Sequence, residues 1–268
     1  MQNTEKKQWG VLARDCAIEA GKLIKRMLEE PLEVMYKSSA SDLVTSVDRA
    51  VEKFVINTVL GAYPDHGILG EEGLFTDDIS GMDTIWVIDP IDGTTNFVHQ
   101  KLNYCVSIAV YHKGEAQVGV VYDPTREELF YAEKGNGAFL NDEPLPKPRQ
   151  MVMEELLLAS SVIWNRRAMK SGLAANIQDL ALRSRGMRVL GVAALELAYV
   201  AAGRLDAYIS LSLNAWDYGA GKLLVEEAGG TITRLDGKEI PFGEKSSILA
   251  GNPHIYPKVL ELLGTKRV

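Results

Sequence analysis

The chain has 268 residues, 46% of them hydrophobic and 24% charged, which is an ordinary globular composition with enough apolar material for one domain or two packed halves. A net charge of −7 argues against a surface built to grip a nucleic-acid backbone, and two distant cysteines argue against a disulfide framework. His66, His99, His112 and His254 form no ligand-spaced pair. The polar N-terminus has no apolar signal core, and the longest apolar stretch, 190–202, contains Glu196 and falls short of the roughly 20 residues that span a bilayer. The expectation is a cytoplasmic protein with no membrane contact and no nucleic-acid partner.

Residues 8–28 carry Leu12, Ala13, Cys16, Ala20, Leu23, Ile24 and Met27 at helical spacing, ended by Pro31. A second helix follows the polar stretch 37–42, with Thr45 or Ser46 as its cap and Val47, Val51, Phe54, Val55, Thr58 and Val59 as its apolar stripe. A turn at 63–67 leads into a short strand at 68–70, and 74–82 reads as a surface loop. The pattern then turns to β, with strand-like runs at 84–88, 104–111, 116–122 and 128–132. The proline-rich segment 141–148 divides the chain into an N-terminal half, 1–148, and a C-terminal half, 149–268, expected to form one compact catalytic unit. In the second half, strands are expected at 156–160, 205–211 and 247–250, and helices at 167–182, 192–202, 217–228 and 253–263. This order suggests a layered α/β or α+β fold rather than a regular βα barrel.

Four segments place an acid where a regular element begins or ends: Asp48, Glu71, the pair Asp89 and Asp92, and Asp217. Taken alone, Asp48 and Asp217 read as first-turn helix acids and Glu71 as a solvated loop acid. The run WVIDPIDGTTNF at 86–97 is different. An apolar strand delivers two carboxylates around a proline, and a glycine, two hydroxyls and an amide follow. Clustered acids beside a core repel unless a cation neutralises them. The two aspartates can converge if Pro90 and Gly93 bend the chain, which would set oxygen ligands for a hard divalent cation beside backbone N–H groups for phosphate. Gly93 has no Cβ to block that approach, and the amides of Gly93 and Thr94 would open a short helix at Thr95. The residues point to a metal-dependent phosphatase.

Together with Lys37-Ser38, the DLVTSVD run at 42–48, the GEE at 70–72, the DPIDGTTNF at 89–97, GVAA at 191–194 and Trp216-Asp217, the chain resembles the inositol monophosphatase family over nearly its whole length. The resemblance implies a sandwich of alternating α-β-α-β-α layers. It also implies magnesium, two or three ions per site, with Glu71, Asp89 and the Ile91 carbonyl on the first. Asp89, Asp92 and Asp217 would hold the second, and a weaker third would lie near Glu71. Glu71, and Thr94 polarised by Asp48, would act on the attacking water. The substrate would meet Asp92, Gly93, Thr94, Ala193, Arg188 and Ser210, with Lys37 on a loop that neutralises charge when the site fills. Family members are commonly lithium-sensitive homodimers.

Inositol-preferring relatives carry a glutamate at the position of Ser210, and a single short hydroxyl discriminates polyols less than a carboxylate does. The expected substrates are therefore inositol monophosphate and related small polyol or nucleotide 2′-phosphates. The alternatives are a fructose-1,6-bisphosphatase, or a 3′,5′-bisphosphate nucleotidase or NADP phosphatase of the same superfamily, for which Arg183, Arg185 and Arg188 are the available cluster. A non-catalytic regulatory binding protein is the third reading.

Overall fold

The computed structural model describes residues 3–29, 34–36, 43–74 and 79–264. Its first helix, α1 (Asn3–Met27), and second, α2 (Ser46–Ala62), flank a short antiparallel pair, β1 (Val34–Tyr36) with β2 (Leu43–Thr45). Thr45 is the N-cap of α2: its hydroxyl accepts from the Val47 and Asp48 amides, and the Asp48 carboxylate accepts from the Thr45 amide in return. This reciprocal arrangement satisfies orphan donors at the helix start.

A seven-stranded sheet follows. It comprises β3 (Gly67–Gly70), β4 (Thr84–Asp92), β5 (Cys105–His112), β6 (Glu115–Asp123), β7 (Glu128–Glu133), β8 (Gly137–Leu140) and β9 (Glu143–Pro144), in that spatial order. Only the β3–β4 pair is parallel. A short helix, α3 (Thr94–Gln100), sits between β4 and β5. The segment 141–148 is therefore partly strand, because β9 pairs with β8 inside the stretch expected to be a linker.

The second sheet contains β10 (Leu157–Ser160), β11 (Gly186–Arg188), β12 (Ala207–Leu213), β13 (Thr231–Thr233) and β14 (Ser246–Gly251), in the order β11-β10-β12-β14-β13. Its helices are α4 (Arg166–Ser171), α5 (Leu173–Arg183), α6 (Ala193–Ala201), α7 (Ala215–Glu227) and α8 (Tyr256–Leu262). The single helix expected at 167–182 is two, broken at Gly172, whose φ of 81° lies in the left-handed region where glycine is at home. The three-residue edge strands β11 and β13 escaped the sequence reading because so short a run has no measurable period.

Three apolar cores stack these elements into alternating layers. The apolar faces of α1 and α2 meet Trp86, Ile88, Val106, Ile108, Val118 and Val120 on one face of the seven-stranded sheet. The opposite face, including Ile85, Val87 and Ala109, packs on α6 and α7, which in turn meet Tyr208, Ile248 and Ala250 of the second sheet. The far face of that sheet, Leu158, Ile209 and Leu249, packs on α4, α5 and α8. The order is α-β-α-β-α. Each burial relation follows from period-2 alternation on the strands and period-3.6 stripes on the helices. No helix among the described residues is long and apolar enough to cross a membrane.

Candidate active site

The site begins with an irregularity in β4. Ile85 and Val87 face α6 and α7, Trp86 and Ile88 face α1 and α2, so continued alternation puts Asp89 toward α6 and α7. Unbroken, that pattern would bring Ile91 to the same face. The register with β5 shifts instead, with Asp89 opposite Ser107 and Asp92 opposite Cys105. Three steps on β4 thus match two on β5, the signature of a β-bulge. Ser107 and Cys105 lie two apart and share a face, so their partners Asp89 and Asp92 share it too. Ile91 is sent into the core beneath α1 and α2, where it is fully buried. The bend expected at Pro90 and Gly93 is thus a bulge within the strand, which runs through Pro90 to Asp92.

Gly93 follows at φ 91° as the N-cap of α3. A Cβ there would stand 3.0 Å from the Asn103 carbonyl oxygen and 3.3 Å from Val192. The glycine therefore serves the backbone conformation and a close approach between the two halves of the chain, in addition to leaving room for a ligand. The helix opens at Thr94, one residue earlier than expected.

Asp48 has two partners. One carboxylate oxygen closes the α2 cap with Thr45, and the other accepts from the Thr94 hydroxyl at 3.2 Å. The same hydroxyl lies 3.1 Å from the Ile91 carbonyl, so its proton is shared between two acceptors. Burial pushes the Asp48 carboxyl up, the bonds from Thr45 pull it down, and the Glu71 charge adds to the rise.

Glu71 sits just past β3, its amide donating to the Ile88 carbonyl at 3.1 Å. The turn is fixed from below by Glu52, fully buried on α2, whose carboxylate accepts from the Glu72 amide at 2.8 Å and the Leu74 amide at 3.0 Å. A Cβ on Gly70 would come within 2.7 Å of the Glu52 carboxyl carbon. Asp217 is the third residue of α7, whose cap is Asn214. Its carboxylate accepts from the Asn214 amide at 2.7 Å, and the Asp217 amide donates to the Asn214 carbonyl at 3.2 Å. The Ser107 hydroxyl donates to the Trp216 carbonyl at 3.2 Å, tying this helix start to β5 directly opposite Asp89.

The four acids sense one another. Burial first, then the charges of Glu71, Asp92 and Asp217, hold Asp89 well above the usual carboxylate range. Asp92 is raised by burial and then by Asp217, against a bond from the Ala194 amide at 2.5 Å. Asp217 is pushed up to about 6, chiefly by burial, with Glu71 adding and Lys245 opposing. Among the described residues no three His, Cys, Asp or Glu side chains are already spaced to close on one cation. The donor set nonetheless has the chemistry of a hard-cation site: oxygen only, buried at Asp89 and half-buried at Glu71, Asp92 and Asp217, and mutually repelling, so that a divalent ion would relieve both costs.

The second sheet provides the neutral wall. Ala193 opens α6 and is buried beside the Ala194 amide that meets Asp92. Ser210 is buried on β12, two residues along from Tyr208 and so on the same face. Tyr208 lies within the field of Glu196, Asp92 and Asp217, which, after burial itself, push its phenol up. Arg188 is exposed on the edge strand β11, its guanidinium donating to the neighbouring Met187 carbonyl. Lys37 lies outside the described residues.

Sequence reading missed Glu52 and Glu196 as site-supporting residues. Both signals were visible: Glu52 falls at helical spacing with Val55, Ile56 and Val59, and Glu196 stands alone in the most apolar stretch of the chain. A charge inside an apolar stripe needs a partner, and these have backbone amides.

The family model for the inositol monophosphatase family matches residues 5–267. Inositol-1-monophosphatase of Bacillus subtilis is 44% identical over 254 residues, covering 93% of this chain and 94% of its own. Nus factor SuhB of Pseudomonas aeruginosa is 41% identical over 254 residues, covering 93% of each. Two solved structures of SaIMPase-II, bound to inositol monophosphate and to 2′-AMP, have TM-scores of 0.82 and 0.83 at 33% and 34% identity, each covering 93% of this chain and 91% of their own. These likenesses span both sheets and every acid of the cluster, and the chain belongs to the inositol monophosphatase family of phosphate-monoester hydrolases.

Proposed function

We propose that the chain is a Mg²⁺-dependent phosphatase of small phosphate monoesters, acting on inositol monophosphate and related polyol phosphates and on nucleotide 2′-phosphates. The observation that carries this is the bulge that turns Asp89 and Asp92 to one face, toward Asp217 and Glu71. Glu71, Asp89 and the Ile91 carbonyl would hold one Mg²⁺, and Asp89, Asp92 and Asp217 another, with a third, weaker ion near Glu71. Bound there, Mg²⁺ supplies water activation and charge neutralisation on the phosphate and leaving oxygens.

The chain's own groups do the rest. Glu71 and the Thr94 hydroxyl orient the attacking water, and Asp48, holding the Thr94 proton, leaves that oxygen free to accept a hydrogen bond. The Gly93 and Thr94 amides hold phosphate oxygens, Asp92 and Ala193 meet the substrate, and Ser210 with Arg188 and Lys37 sets what it can be. Hydrolysis of a phosphate monoester is mostly positioning and electrostatic stabilisation, which fixed acids and amides provide. The halves 1–148 and 149–268 act as one catalytic unit, in a cytoplasmic, lithium-sensitive homodimer.

The bisphosphatase reading is weaker, because Arg183 is paired with Asp179 at 2.9 Å and Arg188 is turned onto a backbone carbonyl. The Nus factor name carried by the Pseudomonas relative favours, as a second role, a regulatory binding function of the kind that name denotes. Phosphate release from myo-inositol 1-phosphate, 2′-AMP, NADP⁺ and fructose 1,6-bisphosphate, with Mg²⁺ and with a chelator, tests the proposal. Mg²⁺-dependent release from the first two is expected; no release from any at saturating Mg²⁺ sinks it.

A further inference from the structure

Glu196 is buried to 1% exposure on α6, and none of the steps above uses it. One carboxylate oxygen accepts from the Leu190 amide at 3.0 Å. Desolvation is offset by this bond to the loop that precedes its own helix. That loop and the first turn of α6 make three contacts with the acidic run of the other half. The Leu190 carbonyl accepts from Asn96 Nδ2 at 2.7 Å, Val192 packs 3.3 Å from where a Gly93 Cβ would stand, and the Ala194 amide donates to Asp92. Asn96 is itself held to the Asn103 carbonyl at 2.9 Å, so the loop is pinned to a fixed point on α3.

Glu196 therefore holds the loop at Leu190, and the three contacts to the acidic run come from Leu190, Val192 and Ala194. Remove the carboxylate and the Leu190 amide loses its acceptor. The Ala194 N–H, in the first turn of α6, is then held only through the Asn96 bond to Leu190, the Val192 packing on Gly93 and the Glu196 amide's bond to the Val192 carbonyl. An aspartate whose second oxygen must serve a cation depends on the first being held.

We infer that Glu196 is a positioning residue, which locks residues 190–194 against Asp92, Gly93 and Asn96 and thereby sets the orientation of the Asp92 carboxylate. This deepens the phosphatase reading and rests on it for the role of Asp92, but the locking itself has a readout that does not need turnover. Backbone amide exchange of the full-length protein in chelator is followed at Ala194 for wild type, Glu196→Gln and Glu196→Leu. The leucine variant should lose about tenfold or more of its protection at Ala194, while glutamine, which keeps an acceptor oxygen, should lose much less. Unchanged protection at Ala194 in a folded leucine variant overturns the inference.

Kinetics then separates positioning from general destabilisation. Glu196→Leu should raise the Mg²⁺ concentration for half-maximal rate and lower kcat by about tenfold to a hundredfold, the usual effect of losing a support behind a metal ligand, with glutamine restoring most of both. Asn96→Ala should lower kcat in the wild-type background and change it little further in Glu196→Leu, since both act on one loop. A lowered Tm with unchanged kcat and Mg²⁺ requirement would mark a merely structural role and defeat the proposal. If the leucine variant does not fold, Glu196→Asp, one methylene short of Leu190, carries the same expectations. If wild type releases no phosphate, the function reading fails while the exchange result still decides the inference.

Discussion

The two sheets build opposite kinds of wall around one site. The seven-stranded sheet contributes Asp89, Asp92 and Glu71, all fixed by backbone: a bulge, a capped turn over Glu52, and an amide from across the gap. The five-stranded sheet contributes Ser210, Tyr208 and Ala193, neutral side chains on a regular strand and a helix start. The acids of the first wall are placed by irregular backbone, and Asp217 joins them from the first turn of α7. The neutral groups of the second wall sit on regular elements where a side chain can change without moving its neighbours. On the proposed function, the first wall would fix the chemistry and the second would leave the substrate open.

The sharpest way to break that contrast is to remove charge from the first wall. Asp89→Asn or Asp92→Asn keeps volume and should cost about 10³-fold in kcat, in line with the several kcal/mol that a metal's charge contributes to such a transition state. The fold should survive, and in chelator the asparagine variants should melt higher than wild type, because each removes a repelling buried charge. Near-wild-type turnover at saturating Mg²⁺ would end the metal assignment.

Support for the same wall comes next. Glu52→Leu leaves the Glu72 and Leu74 amides without their acceptor, which should cost about 1–3 kcal/mol of stability and at least tenfold in activity as the Glu71 turn loosens. Gly70→Ala should act in the same direction by pressing a methyl group into the Glu52 carboxylate. Urea melts and initial rates on both variants would check this; a stable, active Glu52→Leu protein would mean that the turn holds itself.

These residues also show where sequence reading stopped. The acidic run, the helix cap at Thr45, the first-turn acid Asp217 and the alternation on β4 were legible because each is local: a spacing or a neighbour decides it. The bulge was not, since it depends on register with β5, and the same residues read as a strand end followed by a bend. Glu52 and Glu196 were visible as charges in apolar stripes, but their partners are amides 20 residues later and 6 residues earlier, respectively, which only the fold brings within reach. Asp48 was read as a first-turn helix acid or a site acid, and its two oxygens divide between the α2 cap at Thr45 and the Thr94 hydroxyl.

On the second wall, Ser210→Glu would test how open the substrate side is. The change puts a carboxylate in place of one short buried hydroxyl, and should raise kcat/KM for inositol monophosphate relative to 2′-AMP by about tenfold, since a paired acceptor for sugar hydroxyls discriminates strongly. The ratio matters, not either rate alone. An unchanged ratio in a folded variant would place specificity elsewhere.

The smallest effect follows from the acids themselves in the absence of metal. Asp217 is raised from about 4 to about 6 in the folded chain, chiefly by burial. Between those values the folded state keeps a proton that the unfolded state has lost, so stability falls as pH rises through that window and levels off above it. Asp217→Asn removes this group while its amide oxygen can still accept from the Asn214 amide that the aspartate now caps. In chelator, the melting temperature of the variant minus that of wild type should therefore climb from pH 4 to pH 6 and then stay flat. Saturating Mg²⁺ should reverse the order of the two proteins above pH 6, because the cation binds the ionised carboxylate that the variant lacks. A difference independent of both pH and Mg²⁺ would mean that Asp217 is a helix cap and nothing more.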